Sequence, residues 1–115
     1  MSDNRYVPRN FFKNDLDFGK PDATLAIKDR VDWPAGTTED QVRAARLQHF
    51  VAQVMLTQIS ARYPSQQAFA VEIGMKPARF GRILRGDNVM RLEDIGTAER
   101  LLGLGLRLVE GPPPS

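Results

Sequence analysis

The chain has 115 residues, 42% of them hydrophobic, which by size means one domain with tails and enough apolar side chains for a small core. It holds no Cys and a single His, His49, so disulfides and thiolate metal sites are excluded and a zinc site lacks ligands. Formal net charge is only +2, but residues 76–91 set Lys76, Arg79, Arg82, Arg85 and Arg91 against Asp87 alone, five cations to one acid, the footprint of a phosphate-binding face.

The opening MSDNRYVPRN is polar and is no signal peptide. No stretch approaches the roughly 18 apolar residues that span a bilayer, so the expectation is a soluble cytoplasmic protein without membrane contact. Residues 1 to about 22 read as an irregular arm pinned by Phe11, Phe12 and Phe18. The alternatives are a flexible tail, or an arm whose Arg5, Arg9 and Lys13 reach a minor groove or phosphates. Residues 23–32 alternate in part, with the β-formers Leu25, Ile27 and Val31 and with Lys28 and Arg30 between, which predicts a short strand. Trp33-Pro34-Ala35-Gly36 then breaks the chain, with Trp33 as a core anchor.

Thr38 followed by Gln41 fits a capping box and starts a helix from about Glu39 to Arg62. Leu47, Phe50, Val51, Val54 and Met55 cover one side, extended by Ala45, Ala52, Leu56 and Ile59. That is more than one stripe. One side is expected on the helices that follow, the rest on the N-terminal segment or a second subunit, with His49 at a surface or interface.

Pro64 ends this helix and Ser65 caps the next, with Gln66 and Gln67 in its first turn. Phe69, Ala70 and Ile73 mark its inner face, and Gly74 allows a left-handed stop. Met75 returns to the core, and Lys76-Pro77 opens a second short helix. Phe80 and Ile83 are its buried side; Lys76, Arg79, Arg82 and Arg85 lie on the other, before Gly86. An apolar back with a basic front suits insertion into a DNA groove. Asp87-Asn88 is a turn. A last helix runs from Arg91 to about Leu102, with Leu92, Ile95, Ala98 and Leu101 or Leu102 inward and Glu93 and Asp94 favouring the dipole at its start. Gly103 stops it. Leu104, Leu106 and Leu108 then alternate, which predicts a strand paired across a dimer, before a disordered Gly-Pro-Pro-Pro-Ser end.

From Phe50 to Leu104 the chain resembles the Cro-like (XRE-type) helix-turn-helix family of phage and bacterial repressors. The likeness rests on Ala70-Val-Glu-Ile-Gly74, on the apolar set Phe69, Ile73, Met75, Phe80 and Ile83, and on Arg82-Ile83-Leu84-Arg85-Gly86, where Leu84 replaces a common acid. Leu92, Ile95 and Leu102-Gly103 match the final helix and its stop. The resemblance implies a repressor-like helix-turn-helix bundle, and residues 1–38 lie outside it. With the elements read along the chain, the expected fold is mainly α, four to five helices with a short N-terminal and a short C-terminal β-strand. It divides into 1–38 (arm and possible strand), 39–104 (DNA-binding domain) and 105–115 (strand and tail).

The resemblance also implies site residues. Ser65 and Gln66 match the helix start that holds a phosphate, and Gln67, Arg85, Asn88 and Arg91 are grouped with them. Lys76, Ala78, Arg79 and Arg82 match the base-reading side. Pro77 and Ala78 carry no side-chain hydrogen bond, though Ala78 could meet a thymine methyl, so specificity leans on Lys76, Arg79 and Arg82. The implied function is a sequence-specific transcriptional regulator, read as a repressor, acting on double-stranded DNA as a homodimer. The segment GLGLRLVE is also similar to a strand of HipB-like antitoxins. That implies the alternative of an antitoxin, whose N-terminal segment occupies a toxin while DNA binding regulates its own operon. No nucleophile–base pair, glycine-rich cradle or ligand cluster points to an enzyme, a cofactor or a metal.

Overall fold

A computed structural model describes residues 6–103 of the protein, and it is mainly helical. Four α-helices follow one another: α1 Glu39–Arg62, α2 Gln66–Glu72, α3 Pro77–Leu84 and α4 Leu92–Leu102. Three single-turn 3-10 helices precede them, at Pro8–Phe11, Asp15–Asp17 and Arg30–Asp32.

The capping box sets the start of α1. Thr38 Oγ1 accepts from the Gln41 N–H at 3.2 Å, and Gln41 Oε1 accepts from the Thr38 N–H at 3.0 Å. Such a cap contributes about 1 kcal/mol. The extended backbone of Tyr63 before Pro64 ends the helix.

Two apolar clusters lie along α1. Ala52, Met55 and Ile59 join Phe69, Ala70, Phe80, Ile83, Leu84, Met90, Ala98 and Leu102. Val42 and Ala45 join Phe11, Phe12 and Phe18 from the arm, with Tyr6, Leu25 and Trp33 packed at the edge. Residues 6–33 therefore lie against α1, and the Tyr6 hydroxyl donates to the Gln41 carbonyl at 2.9 Å. Burial pushes the Tyr6 hydroxyl up to about 12.

This docking changes the expected faces of α1. Leu47 is 62% exposed and Phe50 is 48% exposed. They stand about 140° and 160° round the helix from Ala52, at about 100° per residue, so they miss both clusters. His49, expected at a surface or interface, is buried against the chain's own arm: its Nδ1 accepts from the Gly19 N–H at 2.8 Å, and its Nε2 meets the Ala23 carbonyl at 3.1 Å. Leu92, expected inward on α4, is 85% exposed, because it lies about 120° round from Ala98.

The N-terminal strand expected at residues 23–32 does not form. One antiparallel bridge joins Phe12 and Ile27, flanked by Lys13 N–H to Ala26 carbonyl (2.8 Å) and Lys28 N–H to Phe11 carbonyl (2.9 Å). The reason is local competition. Asn14 Oδ1 takes the Ala26 N–H and its Nδ2 donates to the Thr24 carbonyl, while the backbone turns into 3-10 geometry on both sides. An Asn side chain that bonds backbone groups in this way replaces the ladder. The strand expected over 104–110 and the Pro-rich end lie outside the described residues. Among the described residues no helix is long and apolar enough to cross a membrane.

Candidate nucleic-acid interface

The basic segment is built on α3, and α3 is held from three sides. On the first side stands α2. Ser65 Oγ accepts from the Ala68 N–H at 3.0 Å and fixes the start of α2. Gly74, at φ 74°, reverses the chain, and the Met75 N–H donates to the Ala70 carbonyl at 2.9 Å. Pro77 then opens α3 with its φ already suited to a helix. Phe69 and Phe80 meet across the two helices with ring centroids 5.5 Å apart, and Tyr63 stands edge-on to Phe69 at 4.9 Å.

Phe80, Gly81, Ile83 and Leu84 are the buried side of α3. Ala78, Arg82 and Arg85 recur at i, i+4 and i+7 and are exposed, so they form one outward ridge. Gly81 brings two further candidates together. A Cβ there would stand 3.0 Å from Arg85 Nη1 and 3.6 Å from Gln66 Nε2, so both polar ends sit over the missing side chain. Gln67 and Lys76 are exposed nearby in the sequence, at the heads of α2 and α3.

Arg79 does not join the ridge cleanly. Its Nη2 lies 4.0 Å from Asp94 Oδ2, and it lines a cleft of about 230 Å³ with Met75, Arg91, Asp94 and Thr97. Asp94 also accepts the Arg91 N–H at 3.0 Å and so caps α4. Arg91 is exposed at that cap, while Asn88 is half-buried and its carbonyl is taken by Gln48. Among the described residues Lys76 and Arg82 make no ion pair.

The second support comes from α1. Gln48 is buried, and its amide bonds three backbone groups, one in the last turn of α3 and two in the turn after it. Nε2 donates to the Ile83 carbonyl at 3.0 Å and to the Asn88 carbonyl at 2.8 Å, and Oε1 accepts from the Met90 N–H at 3.0 Å. A buried amide satisfied this fully fixes the path from α3 to α4.

The arm gives the third support. Gly86, at φ 78°, ends α3, with Gly86 N–H to Ile83 carbonyl (3.2 Å) and Asp87 N–H to Arg82 carbonyl (2.9 Å). The Gly86 carbonyl accepts from the Arg9 N–H at 3.0 Å, and the Phe18 ring covers the glycine. Arg9 Nη1 pairs with Asp87 at 2.8 Å and its Nη2 reaches Asp15 at 3.4 Å. Asp87 also lies 3.5 Å from Arg85 Nε. Arg9 is thus committed within the protein, and the one acid of the basic segment is shared between Arg9 and Arg85.

Sequence reasoning does not single out Gln48, though that residue leaves a signal: it stands four, seven and eleven residues before Ala52, Met55 and Ile59, a polar side chain on an apolar stripe. Arg9, Phe18 and Gly86 are expected from the sequence as a groove-reaching arm residue, an arm anchor and a helix stop, and not as supports of α3. Among the described residues no group of three or more His, Cys, Asp or Glu could hold a metal. No family model, no curated protein and no solved structure matches the chain.

Proposed function

We propose that the protein is a sequence-specific DNA-binding regulator of the helix-turn-helix kind, with α2 and α3 as the motif and α3 lying in the major groove. The observation that carries this reading is the ridge Ala78–Arg82–Arg85 on a short helix whose opposite side is fully packed. A helix end with small and cationic side chains, backed by a rigid core, can enter a groove without rearrangement. Arg82 is the base reader, able to pair with guanine O6 and N7. Lys76 assists at the head of α3, and Ala78 admits close approach to a thymine methyl. Arg79 is a weaker reader, since Asp94 competes for it.

Phosphates would be held on either side of the groove. Ser65, Gln66 and Gln67 offer the α2 N-terminus and its amides, with Arg85 beside Gln66. Asn88 and Arg91 continue that line along the turn to α4. We read the protein as a repressor that works as a homodimer, which places half-sites about one helical turn apart on a two-fold operator. Selection of bound sequences from a random DNA pool tests this. A recurrent motif is expected; an empty selection at low salt would sink the reading.

A further inference from the structure

A second concentration of arginine lies away from α3. Arg30, in the 3-10 turn Arg30–Asp32, and Arg43 and Arg46, three residues apart on α1, line a cleft of about 210 Å³. Glu39 is the one carboxylate of that lining, and Arg30 pairs with it. Among the described residues Arg43 and Arg46 have no ion pair. Three guanidiniums against one carboxylate leave the cleft with two uncompensated positive charges.

The rest of the lining is apolar: Ile27, Trp33 and the buried Val42. The indole is fixed in place: Trp33 Nε1 donates to the Lys28 carbonyl at 2.8 Å, and the Arg30 guanidinium lies 5.2 Å from the ring centroid. Helix electrostatics do not account for Arg43 and Arg46, since a cation is favoured at the last turn of α1, near Arg62, and not in its second. The Arg46 guanidinium lies 5.8 Å from the Phe50 ring centroid but meets no acid among the described residues. Guanidinium forks pair bidentately with carboxylates and phosphates, and the apolar part of the lining favours an anion that carries a ring. A cleft smaller than the roughly 300 Å³ of ordinary ligand sites limits the occupant to a small molecule.

We propose that this cleft binds a small aromatic carboxylate of about the size of benzoate, with Arg43 and Arg46 on the carboxylate and the ring against Trp33 and Ile27. The proposal does not rest on the DNA-binding reading.

Trp33 is the single tryptophan of the chain, so its emission reports on the cleft directly. Titration of the full chain with benzoate, without DNA, should give a saturable change in that emission. Benzamide, which keeps the ring and loses the charge, should need at least about tenfold higher concentration. The double variant R43A/R46A should weaken benzoate about tenfold or more, with its thermal melt unchanged because both side chains are exposed. R46K keeps charge and stem, so it should also bind more weakly through loss of the planar fork. A linear, non-saturating quench, an equal response to benzamide or to inorganic phosphate, or wild-type affinity in the folded double variant would each overturn the proposal.

Discussion

Phe18 lies flat over Gly86: a Cβ on Gly86 would sit 2.8 Å from the ring atoms Cδ1 and Cγ. The two residues are 68 positions apart, yet their contact sets where α3 ends. Gly86→Ala would force a left-handed φ on alanine, at about 1–2 kcal/mol, and drive a methyl into a filled space, at about 1–3 kcal/mol more. Urea denaturation should show a lower midpoint at unchanged slope. In a Phe18→Ala background the steric part should vanish and the backbone part remain. Strict additivity of the two substitutions would show that the ring does not press on the turn.

Gln48 is buried and is itself no expected DNA contact, although it holds the backbone of Asn88, an expected phosphate contact, so it separates scaffold from interface. Gln48→Leu would leave the Met90 N–H and the Asn88 carbonyl without their partner, while the Ile83 carbonyl keeps the Gly86 N–H. A buried unsatisfied group costs about 1–3 kcal/mol, and the loss should appear in thermal melts. The same variant should weaken binding to a selected DNA site while leaving the salt slope unaltered, since no phosphate contact is lost. A steeper or flatter slope would place Gln48 at the interface itself.

His49 gives the arm a pH dependence of known sign. Burial lowers its pKa from the ordinary 6.5, against the smaller opposing effect of the Ala23 carbonyl. The Gly19 N–H points at Nδ1, which must stay unprotonated to accept it. The unfolded chain therefore takes up a proton at a higher pH than the folded one. The contribution to stability is complete above about 6.5 and is lost as pH falls through the folded pKa. His49→Gln should lose that slope between neutral pH and pH 5. If denaturation midpoints of the two proteins move in parallel over that range, His49 carries no such linkage.

What could be read from the sequence is what local chemistry controls. Thr38 and Gln41 announce the start of α1, Pro64 its end, and Gly74 and Gly86 the left-handed turns on either side of α3. The 3.6-residue pattern also found Phe69, Phe80 and Ile83. Relationships across the chain left no such trace. Arg9 meets Asp87 over 78 positions, and Gln48 meets Met90 over 42. Because the arm takes one side of α1, Leu47 and Phe50 are left outward although their spacing suits a core. In the same way Leu25, Ile27 and Val31 have strand-forming side chains, but Asn14 claims the backbone groups that a strand would use.

Arg82 and Arg85 share a ridge but differ in surroundings, and that difference makes the main reading testable. Arg82 has no ion pair among the described residues, whereas Arg85 is drawn to Asp87 at 3.5 Å and lies over Gly81 beside Gln66. In the proposed complex Arg82 reads a base and Arg85 holds a phosphate. Arg82→Ala should then cost about 1–3 kcal/mol on the selected site and relax preference at one base pair. Arg85→Ala should weaken all sequences alike and lower the salt slope by about 1. Asp87→Asn should act in the opposite direction to Arg85→Ala, raising affinity for every sequence, because it frees Arg85 from its acid. It should also cost some stability through the lost pairing with Arg9. Binding titrations at several salt concentrations separate the three. If Arg82→Ala and Arg85→Ala both bind every sequence as the native protein does, α3 is not the groove-reading helix.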